Sequence, residues 1–379
     1  MRKSFKFRLY PTTSQIKRFE ETFDKCRFLY NCALQERISF YKTFKKSKSY
    51  VSQANQLAEL KALLPEFNNI HSQVLQSTLK RLDTSYQFFF KTKSGFPRFK
   101  NKDRFRSILY PQSGFAVKQQ SGKWSRLFLS KIGHIPMLQH RNMEGKIKTC
   151  QIIKTKTNKW YVVLSCDNVP KEHVAKTNKS IGIDLGVKNY ITTSNDEVIG
   201  NPKYLNKSLN KLKEVQKRLS KLSMKDKRRR ATKLRLARVH EKIHNQREDF
   251  QHKVSKKLIE EYDQIFAEDL NIKEMKSFRN LNRAIGDCAW NSLIQKISYK
   301  AERANKKLVL IDPRNTSKMC SECGKNVDKN LSDRIHICSC RANMDRDLNA
   351  AINIFNRGME AIPRKDRSIS FELSRSSRL

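Results

Sequence analysis

Three acidic residues of this sequence combine a chemically useful side chain with ordered, apolar surroundings. Asp184 and Glu268 each end a short apolar or β-branched run, which predicts a buried strand, and Asp347 opens an Ala- and Ile-rich run, which predicts a helix. Carboxylates carried by two strand ends and a helix start can converge on divalent metal ions. Three such carboxylates holding two Mg²⁺ ions about 3.5–4 Å apart are a known arrangement for in-line phosphodiester hydrolysis. The trio therefore predicts a magnesium-dependent nuclease.

Two neighbouring acids compete with this assignment. Asp269 follows Glu268 directly, and consecutive side chains of a strand point to opposite faces, so we favour Glu268 as the metal ligand. Asp345 precedes Asp347 by two residues and is either a helix cap or a residue that supports the site. Any one of these acids taken alone is more often a cap or turn residue, and only the trio carries the prediction.

A cluster of four cysteines precedes the third acid. Cys320 and Cys323 form a Cys-x-x-Cys-Gly turn, and Cys338 and Cys340 form a second pair that is one residue tighter. Four thiolates predict one structural Zn²⁺ ion with tetrahedral coordination. Two alternatives stay open: His336 replaces one thiolate, or the cysteines are buried free thiols. The other five of the nine cysteines are scattered, which predicts a reducing compartment rather than a disulfide framework.

The balance of charge indicates a polyanionic partner. The 379 residues include 79 Lys and Arg against 36 Asp and Glu, a formal net charge of +43. Nucleic acid is the polyanion that such a chain binds, through phosphate contacts and counterion release. A ribosomal or chromatin-type basic protein is the alternative, but it needs no converging acids. With no apolar run of about 18 residues and an alternating rather than apolar start, we expect no membrane partner and a cytoplasmic, nucleoid-associated protein.

The first half of the sequence predicts a small β-barrel interrupted by helices. Residues 3–10 alternate between charged and apolar types, as a strand does, and the segment from 12 to 90 has helical periodicity, with helices expected at 57–63 and 72–90. Six short strands are expected next, at 107–110, 115–118, 126–129, 133–136, 147–154 and 160–166. Their spacing indicates a barrel that the first strand joins.

The second half predicts an α/β domain with an RNase H-like layout. Strands are expected at 181–185, 191–194, 264–268 and 307–311, and helices at 287–305 and 347–357. A leucine-rich heptad pattern between 202 and 250 predicts a helical hairpin with one basic face. This face is either a nucleic-acid contact or a solvated surface, and it includes four consecutive candidates, Lys227, Arg228, Arg229 and Arg230.

Two further clusters are candidates for nucleic-acid contact. Gln73, Gln76 and Lys80 share one face of the last helix of the first half, where glutamine amides could read adenine edges, and a plain polar helix face is the alternative. Arg98 and Lys100 lie in a stretch rich in aromatic residues. This stretch could stack on bases or hold phosphates. The alternative, which we favour, is that its rings belong to the core and only its basic side chains are exposed.

Several motifs of this chain resemble the TnpB family. These are transposon-encoded, RNA-guided DNA endonucleases related to the type V CRISPR effectors. The resemblance covers residues 1 to about 358 in the family's order. The segments that carry it are 6–11 (Lys-Phe-Arg-Leu-Tyr-Pro), 26–31, 95–100 (Gly-Phe-Pro-Arg-Phe-Lys), 182–186 (Gly-Ile-Asp-Leu-Gly), 268–270, 316–324, 331–334 and 345–354.

The resemblance implies an α+β multidomain protein. It would comprise a wedge β-barrel (1–10 and 91–172), an inserted helical recognition region (11–90), a RuvC nuclease domain (173–315 and 341–358) and a zinc-bearing target-nucleic-acid-binding insertion (316–340). The family implies Asp184, Glu268 and Asp347 as ligands of two Mg²⁺ ions, and places an arginine near the scissile phosphate where Arg334 lies. Residues 359–379 are polar and Ser/Arg-rich, and we expect them to be disordered.

The resemblance also implies partners. They are a guide RNA derived from the transposon end and double-stranded target DNA beside a short motif, with a monomer expected for each RNA. One departure is Arg341, which follows the last cysteine where the family usually has glycine. Two other functions stay open: a cleavage-inactive, RNA-guided repressor, which the presence of all three acids disfavours, and a DNA transposase that uses the same fold.

Overall fold

The computed structural model describes residues 1–92, 95–119, 122–275, 277, 282–330 and 333–362. The chain divides into two compact units, the first ending at Pro170 and the second beginning at Lys171. Each helix within these ranges is too short or too polar to cross a lipid bilayer.

The first unit contains a seven-stranded antiparallel sheet. Its strands are β1 (Lys3–Leu9), β2 (Ser107–Tyr110), β3 (Phe115–Gln119), β4 (Trp124–Leu129), β5 (Gly133–Leu138), β6 (Lys146–Lys154) and β7 (Trp160–Asp167). They are ordered β2-β6-β7-β1-β5-β4-β3, so the N-terminal strand lies in the middle and pairs with β7 and β5. All seven predicted strands are confirmed. Over the described residues no pairing joins the edge strands β2 and β3, and closure into a barrel stays a prediction.

The helices of the first unit are inserted between β1 and β2. They are α1 (Thr13–Phe44), α2 (Tyr50–Asn55), α3 (Leu57–Leu63) and α4 (Ser72–Thr92), with 3₁₀ turns at Pro65–Asn69 and Lys102–Arg104. α1 starts with a capping box, in which the Thr12 hydroxyl accepts from the Gln15 N–H and the Gln15 side chain accepts from the Thr12 N–H. Helices and sheet share one apolar core, in which the Phe19 ring stacks on Trp160 at 4.8 Å.

The second unit is built on a mixed five-stranded sheet in the order β10-β9-β8-β11-β12. Its strands are β8 (Ser180–Asp184), β9 (Asn189–Thr193), β10 (Val198–Gly200), β11 (Gln264–Glu268) and β12 (Lys307–Ile311). β8, β11 and β12 are parallel, and β9 and β10 are antiparallel to their neighbours. The predicted mixed α/β layout is thus confirmed.

Six helices and a short hairpin complete the described part of this unit. They are α5 (Tyr204–Lys221), α6 (Arg228–Glu261), α7 (Ile272–Met275), α8 (Asn282–Cys288), α9 (Trp290–Ala304) and α10 (Arg346–Ala361), with the hairpin β13 (Ile335–Ile337) and β14 (Asn343–Asp345). α5 and α6 form the predicted helical hairpin, and α6 continues past residue 250 without a break.

The helix predicted at 287–305 is confirmed as α9 over Trp290–Ala304, but its first residues differ from the prediction. The chain breaks between α8 and α9 at Ala289, whose φ of 52° is left-handed. The Cys288 carbonyl accepts from the Tyr190 hydroxyl at 3.0 Å and from the Gln251 amide at 3.2 Å. Side chains from β9 and α6 therefore satisfy a carbonyl at the break, and this tertiary support outweighs the helical periodicity.

The end of α10 also differs from the prediction. Gly358 does not stop the helix, because this glycine serves a close contact: a Cβ there would lie 2.2 Å from the Phe266 ring. Residues 359–361 are helical, so the predicted disorder is wrong for them. Residues 363–379 lie outside the described residues.

Candidate active site and metal centre

Two adjacent parallel strands bring Asp184 and Glu268 together. Asp184 ends β8 and Glu268 ends β11, and the preceding residues Ile183 and Ala267 are paired, so both acids lie at the carboxyl edge of the sheet. Asp347 lies in the first turn of α10, which packs on β8. Asp269 is exposed, as the alternation of strand side chains requires.

A glycine lets α10 approach the sheet. A Cβ at Gly182 would lie 2.4 Å from the Ala351 carbonyl oxygen and 2.7 Å from the Phe355 nitrogen. Any larger residue would push α10 away from β8. Since β8 carries Asp184 and α10 carries Asp347, this close contact sets the separation between two of the three acids.

The three carboxyls repel one another in a poorly solvated environment. Glu268 and Asp347 are buried and Asp184 is only partly open to solvent. Burial raises the pKa of Asp184 well above its usual range, and the charges of Glu268 and Asp347 raise it further. Burial also raises the pKa of Glu268, against a hydrogen bond from Thr316. Buried carboxylates with oxygen donors suit hard divalent cations, so these residues fit Mg²⁺.

The acids are spread rather than packed into one cage. Among the described residues, only the four cysteines form a group of three or more metal-binding side chains whose ligand atoms all lie within 4.8 Å of one another. The carboxylate oxygens of the three acids do not all lie within 4.8 Å of one another. Such a spread is compatible with two ions about 3.5–4 Å apart, since ligands of an ion pair surround a larger volume than ligands of one ion.

Two residues beside Asp347 have distinct roles. Asp345 is the N-cap of α10: its carboxylate accepts from the N–H groups of Asp347 at 2.8 Å and Leu348 at 3.4 Å. This resolves the alternatives for Asp345 in favour of a cap. Arg346, which the sequence analysis missed, places its guanidinium 3.3 Å from the Asp347 carboxylate. The position of Arg346 between two acids was the available signal.

The backbone of Arg334 contacts the start of α10, next to Asp347. Its carbonyl accepts from the Arg346 N–H at 2.8 Å, and its side chain is exposed. Residues 331 and 332 of its motif lie outside the described residues. The role of Arg334 stays a prediction.

The four cysteines form a compact thiol group without disulfides. The Sγ atoms of Cys320 and Cys340 are 3.7 Å apart, and those of Cys323 and Cys338 are 3.5 Å apart. A tetrahedron with Zn–S bonds of about 2.3 Å has edges of about 3.8 Å, so the group fits zinc. His336 lies outside it: this buried ring bonds through Nδ1 to the Lys329 ammonium.

Each cysteine turn ends at a left-handed residue that follows the second cysteine of its pair. Gly324 has φ 76° and donates to the Cys320 carbonyl at 2.9 Å, and Arg341 has φ 75° and donates to the Cys338 carbonyl at 2.9 Å. Arg341 therefore adopts the left-handed conformation that suits glycine. Arginine at this position therefore carries backbone strain that glycine would not.

Gln73, Gln76 and Lys80 line one groove of the first unit, with a volume of about 530 Å³. Gln73 Oε1 accepts from the Ser113 N–H at 2.9 Å, so this amide also holds the loop beside it. Lys80 pairs with Asp83 at 3.2 Å. Gln76 and Lys80 are exposed, whereas Gln73 is half-buried, so Gln76 is the more accessible of the two amides.

Most rings of the aromatic stretch around Arg98 lie outside the core. The side chains of Phe88, Phe90, Phe96 and Phe99 are 58%, 70%, 45% and 51% exposed. The prediction of core rings is wrong for these four, whereas Tyr86 is partly buried and packs against the core.

The two basic residues of that stretch, Arg98 and Lys100, differ in exposure and in their contacts with the rest of the fold. Arg98 is exposed. The backbone of Lys100 is held on both sides by Asn31, whose amide donates to the Lys100 carbonyl at 3.0 Å and accepts from its N–H at 2.8 Å. The Lys100 ammonium lies 5.5 Å from the centre of the Tyr30 ring.

The basic run Lys227–Arg230 lies at the start of α6, and its residues differ in whether they bond within the fold or face solvent. Arg229 donates to the carbonyls of Leu219 at 3.1 Å and Leu222 at 2.5 Å, so it closes the end of α5. Arg228 pairs with Asp226 at 2.8 Å. Lys227 and Arg230 are exposed and are the more available candidates of the run for a phosphate.

Comparison with known proteins identifies the family. A protein of Streptomyces pristinaespiralis, whose name describes it as a proposed RNA-guided DNA endonuclease, is 32% identical over 371 residues, covering 95% of this chain and 90% of the relative. This chain belongs to the TnpB family. A second relative, InsQ of Escherichia coli K12, whose name describes it in the same way, is 28% identical and covers 94% of this chain and 92% of the relative.

Family models and a solved structure agree with this membership. Residues 139–279 match a model described as "Probable transposase", and residues 290–354 match a Cas12f1-like TNB domain. The chain of a Cas12f1–sgRNA–target DNA complex superimposes with a TM-score of 0.61 at 15% identity, covering 90% of this chain and 82% of that one. The TnpB chain therefore has the fold of that effector.

One family model differs from the observed local structure. Residues 1–46 match a model described as a helix-turn-helix domain. In this TnpB chain the same residues form β1 and the single long helix α1, which runs from Thr13 to Phe44.

Proposed function

We propose that this protein is a Mg²⁺-dependent, RNA-guided endonuclease that cuts double-stranded DNA beside a short motif. The observation that carries the proposal is the convergence of Asp184, Glu268 and Asp347, from two strand ends and a helix start, in a chain with net charge +43. The names of its relatives support the guide-dependent part of the proposal.

The three acids would hold two Mg²⁺ ions. When bound, Mg²⁺ supplies a Lewis acid for the phosphate and a water of lowered pKa. The protein's own part is to bind and orient: Gly182 sets the spacing of the acids, and Asp345 fixes the first turn of α10. Arg346 and Arg334 would balance the charge of the phosphate that enters the site.

The zinc site has a structural role in this proposal. The four cysteines leave no coordination position for a substrate, since a tetrahedral ion with four thiolates is closed. We assign the cysteine region to a target-nucleic-acid-binding insertion, the surrounding α/β unit to a RuvC-like nuclease domain, and the first unit to a wedge β-barrel with inserted recognition helices.

The groove of the first unit would read the target-adjacent motif. In guide-dependent nucleases base pairing reads the target sequence, but protein contacts to a short motif must start the opening of the duplex. We assign Gln76 and Gln73 as readers of base edges and Lys80 as a phosphate contact. Arg98, Lys100, Lys227 and Arg230 would contact the nucleic-acid backbone.

A motif library tests the groove. Gln76→Ala or Gln73→Ala should change which motif is preferred. An amide that reads a base discriminates against the other bases by about 1–3 kcal/mol, and each variant should lose that discrimination. Lys80→Ala should weaken binding to all motifs alike. An unchanged preference in both glutamine variants would leave the groove without a role in recognition.

The central experiment identifies the guide and the cut. RNA that co-purifies with the protein is sequenced, and the complex is then given DNA that matches this RNA behind a randomised motif, with and without Mg²⁺. Cleavage that requires the RNA, the matching DNA and Mg²⁺ supports the proposal. Cleavage of a defined site by RNA-free protein would refute the guide-dependent part.

A DNA transposase is the second candidate. The family model that matches residues 139–279 is described as "Probable transposase". Such an enzyme would produce joined strands rather than simple breaks. Sequencing the reaction products distinguishes the two. A repressor that does not cut would give neither product, and the three intact acids argue against it.

A further inference from the structure

Glu268 accepts a hydrogen bond from a residue outside its own strand. The hydroxyl of Thr316 donates to Glu268 Oε1 at 2.5 Å, and both side chains are buried. A second acceptor, the Pro313 carbonyl, lies farther away at 3.1 Å. A buried carboxylate with one fixed oxygen has its other oxygen directed to a defined side.

Two buried asparagines of α10 hold the segment that carries Thr316. Asn353 donates to the carbonyls of Thr316 at 2.8 Å and Met319 at 2.7 Å. Asn349 donates to the Met319 carbonyl at 2.8 Å and accepts from the Ser321 N–H at 2.9 Å. Both side chains are at most 1% exposed, so these bonds are shielded from water.

We call residues 316–321 the strap. It begins at the hydroxyl that contacts Glu268 and includes Cys320 of the cysteine group, and it lies along the helix that carries Asp347. Its backbone connects Thr316, which contacts the carboxylate site, with Cys320 of the cysteine site four residues later. We propose that Thr316 is a positioning residue for Glu268, and that Asn349 and Asn353 hold the strap so that this hydroxyl reaches the carboxylate. The inference rests on the proposed function, in which Glu268 binds a divalent ion.

The expected effect is a loss of metal affinity. Removing a hydrogen-bond partner of a metal-binding carboxylate weakens metal binding by about 10–100-fold in other proteins. Thr316→Val keeps the shape of the side chain and removes its hydroxyl, whereas Thr316→Ser keeps the hydroxyl. We expect Mn²⁺ affinity to fall about tenfold in Thr316→Val and to stay within about threefold of wild type in Thr316→Ser.

The test is a titration with Mn²⁺ followed by electron paramagnetic resonance. It uses the full-length chain, freed of nucleic acid by nuclease and high salt, with Asp184→Asn as the blank for binding outside the acidic site. Thr232→Val is the matched control, since it removes another buried hydroxyl of the second unit, one that donates to the Arg228 carbonyl. Zinc content, measured in every variant, should be unchanged.

A double-mutant cycle tests the role of the strap. Asn353→Leu should also weaken Mn²⁺ binding, and the combination with Thr316→Val should lose less than the product of the two single effects, because both act on the same hydrogen bond. If the effects of the two variants were independent, the proposal that the strap positions Thr316 would be overturned. Wild-type affinity in Thr316→Val, or equal losses in Thr316→Ser and Thr316→Val, would overturn the role of the hydroxyl.

The outcomes separate this inference from the proposed function. Wild-type protein that binds Mn²⁺ at the acids but cuts no DNA would refute the proposed function, while the variants would still decide the role of Thr316. Wild-type protein that binds no Mn²⁺ above the Asp184→Asn blank would overturn both.

Discussion

The four cysteines and the three acids of the second unit differ in how their side chains are brought together. Cys320 and Cys340 are 20 residues apart, and all four thiols lie within 4.8 Å of one another. Asp184, Glu268 and Asp347 come from two strands and a helix that are distant in the chain, and they do not meet that distance. A local thiol cluster can assemble with a metal ion and little else, whereas the carboxylates depend on the complete sheet and α10.

The electrostatic surroundings differ in the same way. A backbone N–H of Cys340 lowers the pKa of Cys338 to about 6, which favours the thiolate that zinc needs. Burial and mutual repulsion raise the pKa of Asp184 instead. The hydrogen bond thus favours the thiolate of Cys338, whereas the pKa of Cys340 is raised to about 12, against a hydrogen bond from the Ala342 N–H, by burial and by the other thiols. In the acidic site, burial and the neighbouring carboxylates disfavour the charged form of Asp184.

The acids should show the largest effect on activity. Asp184→Ala, Glu268→Ala or Asp347→Ala should each reduce the cleavage rate by at least about 10³-fold, because several kcal/mol of charge stabilisation by metal are lost. Nucleic-acid binding should remain, since phosphate contacts lie elsewhere. Single-turnover cleavage and binding are measured in parallel. Near-wild-type cleavage by one variant would remove that residue from the site.

Zinc should be bound at one equivalent per chain and lost on substitution of a cysteine. Cys320→Ala should release the ion and unfold the surrounding segment, because binding of a structural zinc is coupled to folding. Cleavage should fall as well, since Cys320 lies in the strap. Elemental analysis of reduced, freshly purified protein checks the stoichiometry, with Cys32→Ala, an exposed cysteine outside the cluster, as control. Zinc-free wild-type protein would contradict the assignment.

Asp184→Asn should stabilise the metal-free acidic site. The pKa of Asp184 is raised in the folded state, so the unfolded chain releases the proton first and folding stability decreases as pH rises from about 4 towards the folded value. At pH 7 the amide should therefore raise the melting temperature, on a scale of about 2–4 °C per kcal/mol for a unit of this size.

The pH and metal dependence provide the controls for Asp184→Asn. Its advantage should vanish near pH 4, where both side chains are neutral, and Mg²⁺ should stabilise wild type but not the variant. Melting curves are recorded in Mg²⁺-free buffer without a chelator, so that zinc stays bound. A variant less stable than wild type at pH 7 would mean that the acids do not repel one another.

Arg341→Gly should have the smallest effect, a gain of up to about 1 kcal/mol in stability, because glycine adopts the left-handed conformation without strain. Gly324→Arg is the reverse change at the equivalent position of the other turn and should lose a similar amount. Chemical denaturation of zinc-loaded protein measures both. A loss of stability in Arg341→Gly would show that the arginine side chain has a contact that outweighs the strain.

Much of the local structure could be predicted from periodicity. The limits of α3, β2, β11 and β12 agree with the expected ones. Alternation and helical period are properties of neighbouring residues, and the sequence contains them directly. The cysteine group and the three acids could also be predicted from the sequence, because the spacing of residues within short motifs indicates them.

Only the tertiary structure decided which polar groups serve the fold. The break at Ala289 is supported by residues that are distant in sequence, and the exposure of the phenylalanines at the end of α4 and beyond it depends on where the core ends. The cap formed by Arg229 depends on the turn between α5 and α6. The bonds of Asn349 and Asn353 to the strap are of this kind, and on an amphipathic helix two asparagines give no sign of their partners. Residue type and spacing therefore determined the chemistry available to this protein. Its organisation was decided by packing, because a buried polar group must bond to whichever neighbour the fold places beside it.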